Sequence, residues 1–147
     1  MGAGPLQFQT KGNKMNSLDH HNTAHVLLRI TFGILLLAHG LLKVLGFGVE
    51  GTVGFFASLG LPAIAAYLVM AGEVLGGIAL IVGFRVRTVA LLSLPIMLGA
   101  LWVHSGAGWL FSNAGGGWEF PLLLVVLAVV LALQGGGTCP ISKHFQK

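Results

Sequence analysis

Four long apolar segments dominate this chain and decide the solvent in which it can fold. They run over residues 24–45, 62–82, 86–103 and 118–133. A helix needs about 20 residues to cross the hydrocarbon core of a bilayer, with a lower limit near 17. The first three segments reach this range, whereas the fourth is marginal and leaves a partly re-entrant segment as an alternative. Because the runs are unbroken rather than alternating, they favour helices over strands and predict an all-α integral membrane protein.

The composition excludes a soluble domain of this size. The chain has 147 residues, of which 55% are hydrophobic and 8% are charged, whereas soluble domains average about 25% charged residues. The basic residues lie singly or in pairs between the apolar runs, as membrane-flanking charges do, so the net charge of +4 does not indicate nucleic-acid binding. Cys139 is the only cysteine, which excludes an intramolecular disulfide and a CxxC redox pair.

The segments predict a four-helix transmembrane bundle over residues 24–134. Residues 1–23 are polar, lack apolar periodicity and are predicted to form a mobile cytoplasmic tail, and residues 135–147 are predicted to form a cytoplasmic C-terminal tail. Between the first two spans, the segment 46–60 carries apolar residues near helical spacing. This spacing predicts a short amphipathic helix on the membrane surface rather than a fifth span.

The distribution of basic residues predicts the orientation of the bundle. If the N-terminus is cytoplasmic, Lys43 alone lies on the outer side, and all the other basic residues lie inside: Lys11, Lys14, Arg29, Arg85, Arg87, Lys143 and Lys147. Positively charged residues accumulate on the cytoplasmic side of membrane proteins, and tryptophans favour the interfaces. Trp102, Trp109 and Trp118 then all fall at the outer end, so both signals predict cytoplasmic termini.

Five ionisable residues lie at or above the middle of the predicted spans and are candidates for a ligand-binding site: His39, Lys43, Glu73, His104 and Glu119. Charged side chains inside a membrane are costly, so they are candidates for function by default. Their shared depth predicts a polar pocket that opens toward the outer face.

Glu73 and His39 are the candidates for catalysis. A carboxylate at mid-membrane must be protonated or paired, and the glycines around Glu73 let another helix approach it closely. Glu73 is therefore either a ligand or proton site or a structural contact between helices. His39 could accept a proton, donate a hydrogen bond to a quinone, bind a metal or simply bond Glu73 or a neighbouring carbonyl. Lys43 either joins this site or extends to the headgroups.

The sequence contains no haem, iron–sulfur or metal-binding signature. His39 and His104 could ligate a haem, and together with Glu73 and Glu119 they are metal-ligand types, but no spacing such as HExxH supports either. We therefore expect no metal site.

Residues 28–133 resemble the DoxX family of small four-span bacterial membrane proteins. The similarity rests on a series of short motifs in the same order: His39-Gly40-x-x-Lys43, Gly46-Phe-Gly with Phe55-Phe56, Gly60-Leu-Pro62, Glu73-x-x-Gly-Gly77, Gly83-x-Arg-x-Arg87 and Gly117-Trp-Glu119. The C-terminal Gly135-Gly-Gly-Thr-Cys-Pro-Ile-Ser departs from the Ser-Leu-Asp type of ending found in many members. The resemblance implies a bacterial inner-membrane protein with four spans.

The family takes its name from a subunit of a thiosulfate:quinone oxidoreductase, so the resemblance implies a membrane subunit of a redox system. A quinone or similar lipid-soluble carrier is the expected cofactor, with the redox centre on a partner protein. Two alternatives stay open, a non-enzymatic scaffold for a partner enzyme and a small-solute or proton-coupled transporter that works as a homo-oligomer. Membrane lipids are expected partners in each case.

Overall fold

The computed structural model describes the backbone of residues 6–135 and the side chains of residues 22–135, and within this part of the chain it contains helices and no strands. The order is α1 (Leu6–Leu41), a π-helical turn (Leu42–Gly46), α2 (Gly48–Ser58), α3 (Ala63–Val82), α4 (Val86–His104), a 3₁₀ turn (Ser105–Ala107) and α5 (Glu119–Gln134). The all-helical prediction is therefore confirmed for the described residues.

Three helical segments are long and apolar enough to cross a membrane. They are Asn22–Gly46, Ala63–Val82 and Val86–Ala107, and they correspond to the first three predicted spans. Helix α5 coincides with the fourth predicted span but has only 16 residues. A helix also lies where the interfacial segment was predicted, at α2.

The predicted tails fall largely outside the described side chains. Helix α1 begins at Leu6, so its backbone is helical well before the predicted start of the first span, in a region that shows no apolar periodicity. The mobility and cytoplasmic location of residues 1–23 stay predictions. Of the predicted C-terminal tail, the segment 136–147 lies outside the described residues.

Helices α1 and α3 form the most extensive pair in the bundle. Glycines permit this close packing, because a Cβ added to Gly77 would lie 2.7 Å from both the Gly33 carbonyl oxygen and the Leu37 amide nitrogen. A Cβ on Gly40 would likewise lie 2.8–3.0 Å from atoms of Val74 and Glu73. Small residues at such contacts let two helix backbones approach in a membrane. The pair therefore brings the C-terminal end of α1 directly beside Glu73.

Helices α4 and α5 form the second extensive pair, which packs against α1 and α3 around the core. The core consists of buried side chains from four helices: Phe32, Leu36, Leu80, Val86, Ala90, Met97, Leu124, Ala128 and Leu131. Many large apolar side chains face outward instead, including Leu68, Leu75, Leu92 and Leu133, each more than 60% exposed. A helix that is apolar on both its inner and outer faces is typical of a bundle surrounded by lipid.

Candidate functional site

A cavity of about 330 Å³ lies at one end of the bundle, and every described helix contributes to its wall. Its polar lining comes from His39, Lys43, Glu73 and His104, which are four of the five residues that the sequence singles out. The remaining wall is apolar and aromatic. This volume falls within the range of about 300–1,000 Å³ that is usual for small-molecule sites.

An ion pair between Lys43 and Glu73 forms the polar floor of this cavity. The Lys43 Nζ lies 2.8 Å from Glu73 Oε1 and 2.7 Å from Oε2, so the ammonium group bridges both carboxylate oxygens. The Glu73 side chain is 4% exposed, whereas that of Lys43 is 23% exposed. Lys43 therefore turns inward to Glu73 instead of extending to the headgroups. Because an ammonium group has three N–H donors, one remains for a ligand.

The backbone around Lys43 is unusual and is fastened from α2. Lys43 lies in the π-helical turn, which ends with a bond from the Phe47 amide to the Leu42 carbonyl of 2.9 Å. Short π-helical segments occur frequently at functional sites. The hydroxyl of Thr52, a buried residue of α2, donates to the Lys43 carbonyl oxygen at 2.9 Å. This bond holds α2 against the segment that carries the lysine.

His39 lies one helical turn before Lys43 and is oriented by two contacts. Its Nδ1 donates to the Leu35 carbonyl oxygen at 2.8 Å, because a carbonyl can only accept. Its ring stacks on Phe120 of α5, with ring centres 5.6 Å apart and ring planes 23° apart. His39 is thus bonded to its own helix and not to Glu73, and in the neutral ring Nε2 is left as a proton acceptor.

His104 also lines the cavity, at the end of α4. Its Nδ1 donates to the Gly115 carbonyl oxygen at 2.9 Å. The same loop is bonded to Glu119, the first residue of α5, which does not line the cavity: its Oε1 accepts a hydrogen bond of 2.8 Å from the Phe111 amide. Glu119 therefore fastens the loop between α4 and α5, near the edge-to-face pair of Trp109 and Trp118.

Within residues 22–135, no three His, Cys, Asp or Glu side chains converge in an arrangement that could hold a metal ion. In the cavity, each of the three candidate ligands is engaged in another contact. His39 stacks on α5 and His104 is bonded to the loop, while Glu73 is occupied by Lys43.

Sequence reasoning missed the aromatic wall and the residue that fastens Lys43. Phe55 and Phe56 of α2, Trp102 of α4 and Phe120 of α5 all line the cavity. Their apolar surroundings in the sequence resemble those of any membrane-facing aromatic residue, and Trp102 is equally typical of an interface anchor. Thr52 gives no signal beyond being a hydroxyl residue in an apolar segment. Only the fold brings these residues to one place.

These features define the chain as a membrane protein with an aromatic-lined cavity that contains an ion pair. Comparison with known proteins identifies the family. The DoxX family model matches residues 24–106, and the chain belongs to the DoxX family. A curated relative, described as "Putative oxidoreductase CatD" of Bacillus subtilis (strain 168), is 37% identical over 110 residues, which cover 75% of this chain and 78% of the relative. No solved structure shows significant similarity to the chain.

The family match ends before α5. Residues 24–106 include all four ionisable residues that line the cavity, His39, Lys43, Glu73 and His104. Phe120 and Glu119 lie beyond the match. The polar floor of the cavity thus falls within the segment that defines the family, whereas α5 adds the ring on which His39 stacks.

Proposed function

We propose that this protein is the membrane subunit of a redox system and binds a quinone, or a similar lipid-soluble carrier, in the cavity above the Lys43–Glu73 pair. The observation that carries this proposal is the combination of a buried ion pair with an aromatic wall in one cavity of about 330 Å³. A planar carrier ring suits aromatic walls, and its carbonyl oxygens need hydrogen-bond donors at one end.

Lys43 supplies a donor for one carbonyl oxygen of the carrier. Two of its N–H groups are directed to the Glu73 carboxylate, so the third binds the ligand oxygen. Glu73 aligns the ammonium group through these two hydrogen bonds, and its carboxylate lies in position to exchange a proton with it. The two side chains therefore form a short proton relay whose members are already in hydrogen-bond contact.

His39 complements this pair because its backbone contact fixes the tautomer of the neutral ring. With Nδ1 donating to the Leu35 carbonyl, neutral His39 can accept a proton from a hydroquinone hydroxyl through Nε2, and the resulting imidazolium can return it. Interconversion of quinone and hydroquinone moves two electrons and two protons. The residues of this chain handle the protons, and a redox centre on a partner protein exchanges the electrons.

The relative from Bacillus subtilis supports the redox assignment at the level of its description as an oxidoreductase. A scaffold that assembles a partner enzyme is the competing function. It is favoured by the way the ion pair joins α3 to the segment following α1. The two functions differ in whether the cavity holds a carrier.

The experiment is a lipid-extract analysis of gently purified protein. Wild type is expected to retain a quinone in stoichiometric amount, and Glu73→Gln and His39→Ala are expected to lose about 90% or more of it. Glu73→Gln removes the carboxylate that aligns Lys43, and His39→Ala removes the proton acceptor. Glu50→Gln is the matched control, because Glu50 is an exposed carboxylate on α2 that does not line the cavity.

All variants must elute as a single species with wild-type helical content before their extracts are compared. Absence of quinone from every sample contradicts the carrier function and favours the scaffold. Retention of wild-type amounts by both cavity variants contradicts the proposed binding residues.

We further propose that all four apolar helices span the inner membrane, with α2 lying at its outer surface and both termini in the cytoplasm. The 16 residues of α5 extend about 24 Å, which is shorter than a hydrocarbon core of about 30 Å. Local thinning of the bilayer accommodates a short span at modest cost. Exposed apolar residues of α5, such as Leu123 and Val126, support contact with lipid.

The single cysteine offers a direct measurement of this topology. Cys139 lies in the predicted cytoplasmic C-terminal segment. A membrane-impermeant maleimide is expected to label it in inverted membrane vesicles and not in intact spheroplasts. Cys139→Ser is the control for labelling elsewhere. Labelling of Cys139 in spheroplasts with intact membranes would reverse the assigned position of the C-terminus.

A further inference from the structure

A second cavity, a groove of about 780 Å³, runs along the seam between α3 and α4. These two helices pack against each other less extensively than α1 packs on α3 or α4 packs on α5. Small residues of α3, among them Gly72 and Gly76, form the floor of the groove, and the larger Leu75 and Leu92 flank it. Ser93 is the polar residue in its lining, and its hydroxyl already donates to the Ala90 carbonyl at 2.8 Å. The groove is therefore apolar in character.

The groove adjoins the ion-pair cavity, the cavity that contains Lys43 and Glu73. Four residues line both of them: Ala65 and Val69 of α3, and Pro95 and Ile96 of α4. The ion-pair cavity lies on one side of this shared boundary, with its polar and aromatic groups. The groove lies on the other side, with almost no polar atoms. The two cavities thus lie side by side, with a polar end at the ion pair and a long apolar end along the groove.

The apolar end faces the lipid and not an aqueous surface. Leu75 is 67% exposed and Leu92 is 68% exposed, and both lie well inside apolar helices that are long enough to span a membrane. A molecule in this groove is therefore in contact with the hydrocarbon core along its length. A water-soluble ligand gains nothing from such a surface, whereas an apolar chain does.

We infer that the groove between α3 and α4 holds the hydrocarbon tail of the carrier whose ring occupies the ion-pair cavity, and that the carrier reaches the site sideways from the bilayer. This inference rests on the proposed function, because it needs a ring bound above Lys43 and Glu73. It adds the ligand class: a carrier with a long isoprenoid tail, in contrast to a short-chain or water-soluble quinone.

The test compares ring binding with tail binding. The probes are a methoxy-substituted benzoquinone and a methylnaphthoquinone, each used without a tail and with a four-unit isoprenoid tail. Binding to the purified full chain is followed by quenching of tryptophan fluorescence, to which the cavity residue Trp102 contributes. Gly76→Phe fills the groove, since a Cβ at this position meets only Val89 at 3.6 Å, an ordinary contact.

Gly76→Phe is expected to weaken binding of each quinone with a tail by about tenfold or more, because the buried methylenes of the tail lose their site. Its affinity for the tail-less probe should match that of wild type. Ile78→Phe is the matched control: it adds a ring two residues further along α3, at a position that is 46% exposed and lines neither cavity. It should behave as wild type with both probes.

Ala71→Phe, at an exposed position of the groove, is the second filling variant if Gly76→Phe does not fold. Wild-type affinity of a folded filling variant for the tailed probe overturns the tail site and leaves the proposed function intact. Equal weakening of both probes also overturns it, as does loss of bound phospholipid from the variant without a change in tailed-probe affinity. If wild type binds none of the probes, the inference and the proposed function both fail.

Discussion

Breaking the Lys43–Glu73 pair from one side is expected to lower the free energy of unfolding by about 3–5 kcal/mol, near the lower end for a pair whose lysine stays partly exposed. Glu73→Leu leaves an ammonium group in apolar surroundings, and Lys43→Met leaves a carboxylate that is almost fully buried. The cost arises mainly from the uncompensated charge and less from the lost attraction.

The double variant Lys43→Met/Glu73→Leu should therefore recover most of this loss, because two apolar side chains of similar size replace the pair. The measurement is a double-mutant cycle of unfolding in mixed micelles of increasing denaturing-detergent content, followed by circular dichroism. Glu50→Leu controls for the loss of an exposed carboxylate. If the changes in unfolding free energy of the two single variants simply add in the double variant, the pair contributes no coupling energy. Another interaction then holds the Glu73 side chain in place.

The second large effect is expected at the contact between α1 and α3. Gly77→Ala places a methyl group 2.7 Å from backbone atoms of Gly33 and Leu37. Backbone atoms cannot turn aside as a side chain can, so the helices must separate. Overpacking of this kind costs about 1–3 kcal/mol and sometimes more. The ion pair follows this contact along the same helix pair, so the variant should also lower quinone retention.

The neighbouring glycine provides a control of the same chemistry. Gly76→Ala places its methyl group 3.6 Å from Val89, which is an ordinary contact, and we expect a change in unfolding free energy within about 0.5 kcal/mol. Thermal unfolding of both variants in one detergent measures the difference. Equal behaviour of Gly76→Ala and Gly77→Ala would contradict the close packing of α1 on α3.

The predictions that succeeded rest on long, local patterns. The apolar runs specify helices because lipid leaves the backbone no other partner than itself, and the helices α3 and α4 begin and end within about two residues of the predicted spans. The same reasoning misses the helical backbone of α1 before Asn22, where no apolar pattern exists. Hydropathy also does not detect the π-helical turn at Lys43, which depends on hydrogen-bond register.

The candidate site could be predicted only as a set of residues. Their cost inside a membrane marks His39, Lys43, Glu73 and His104 as unusual, and all four line one cavity. Glu119 carries the same signal but accepts a hydrogen bond from the Phe111 amide, in the loop between α4 and α5. Burial cost indicates that a charged residue needs a partner, but it does not identify that partner.

The sequence by itself determined the membrane environment, the helical class and the positions of the ionisable groups that are costly to bury in lipid. These properties depend on length, hydropathy and backbone hydrogen bonding along one segment. The tertiary structure determined which of these side chains contact each other. Lys43 pairs with Glu73, 30 positions away, because glycines let α1 and α3 approach, while His39 stacks on Phe120 of α5. Side-chain contacts between helices depend on rotation and distance of closest approach, and a single apolar run does not fix either of them.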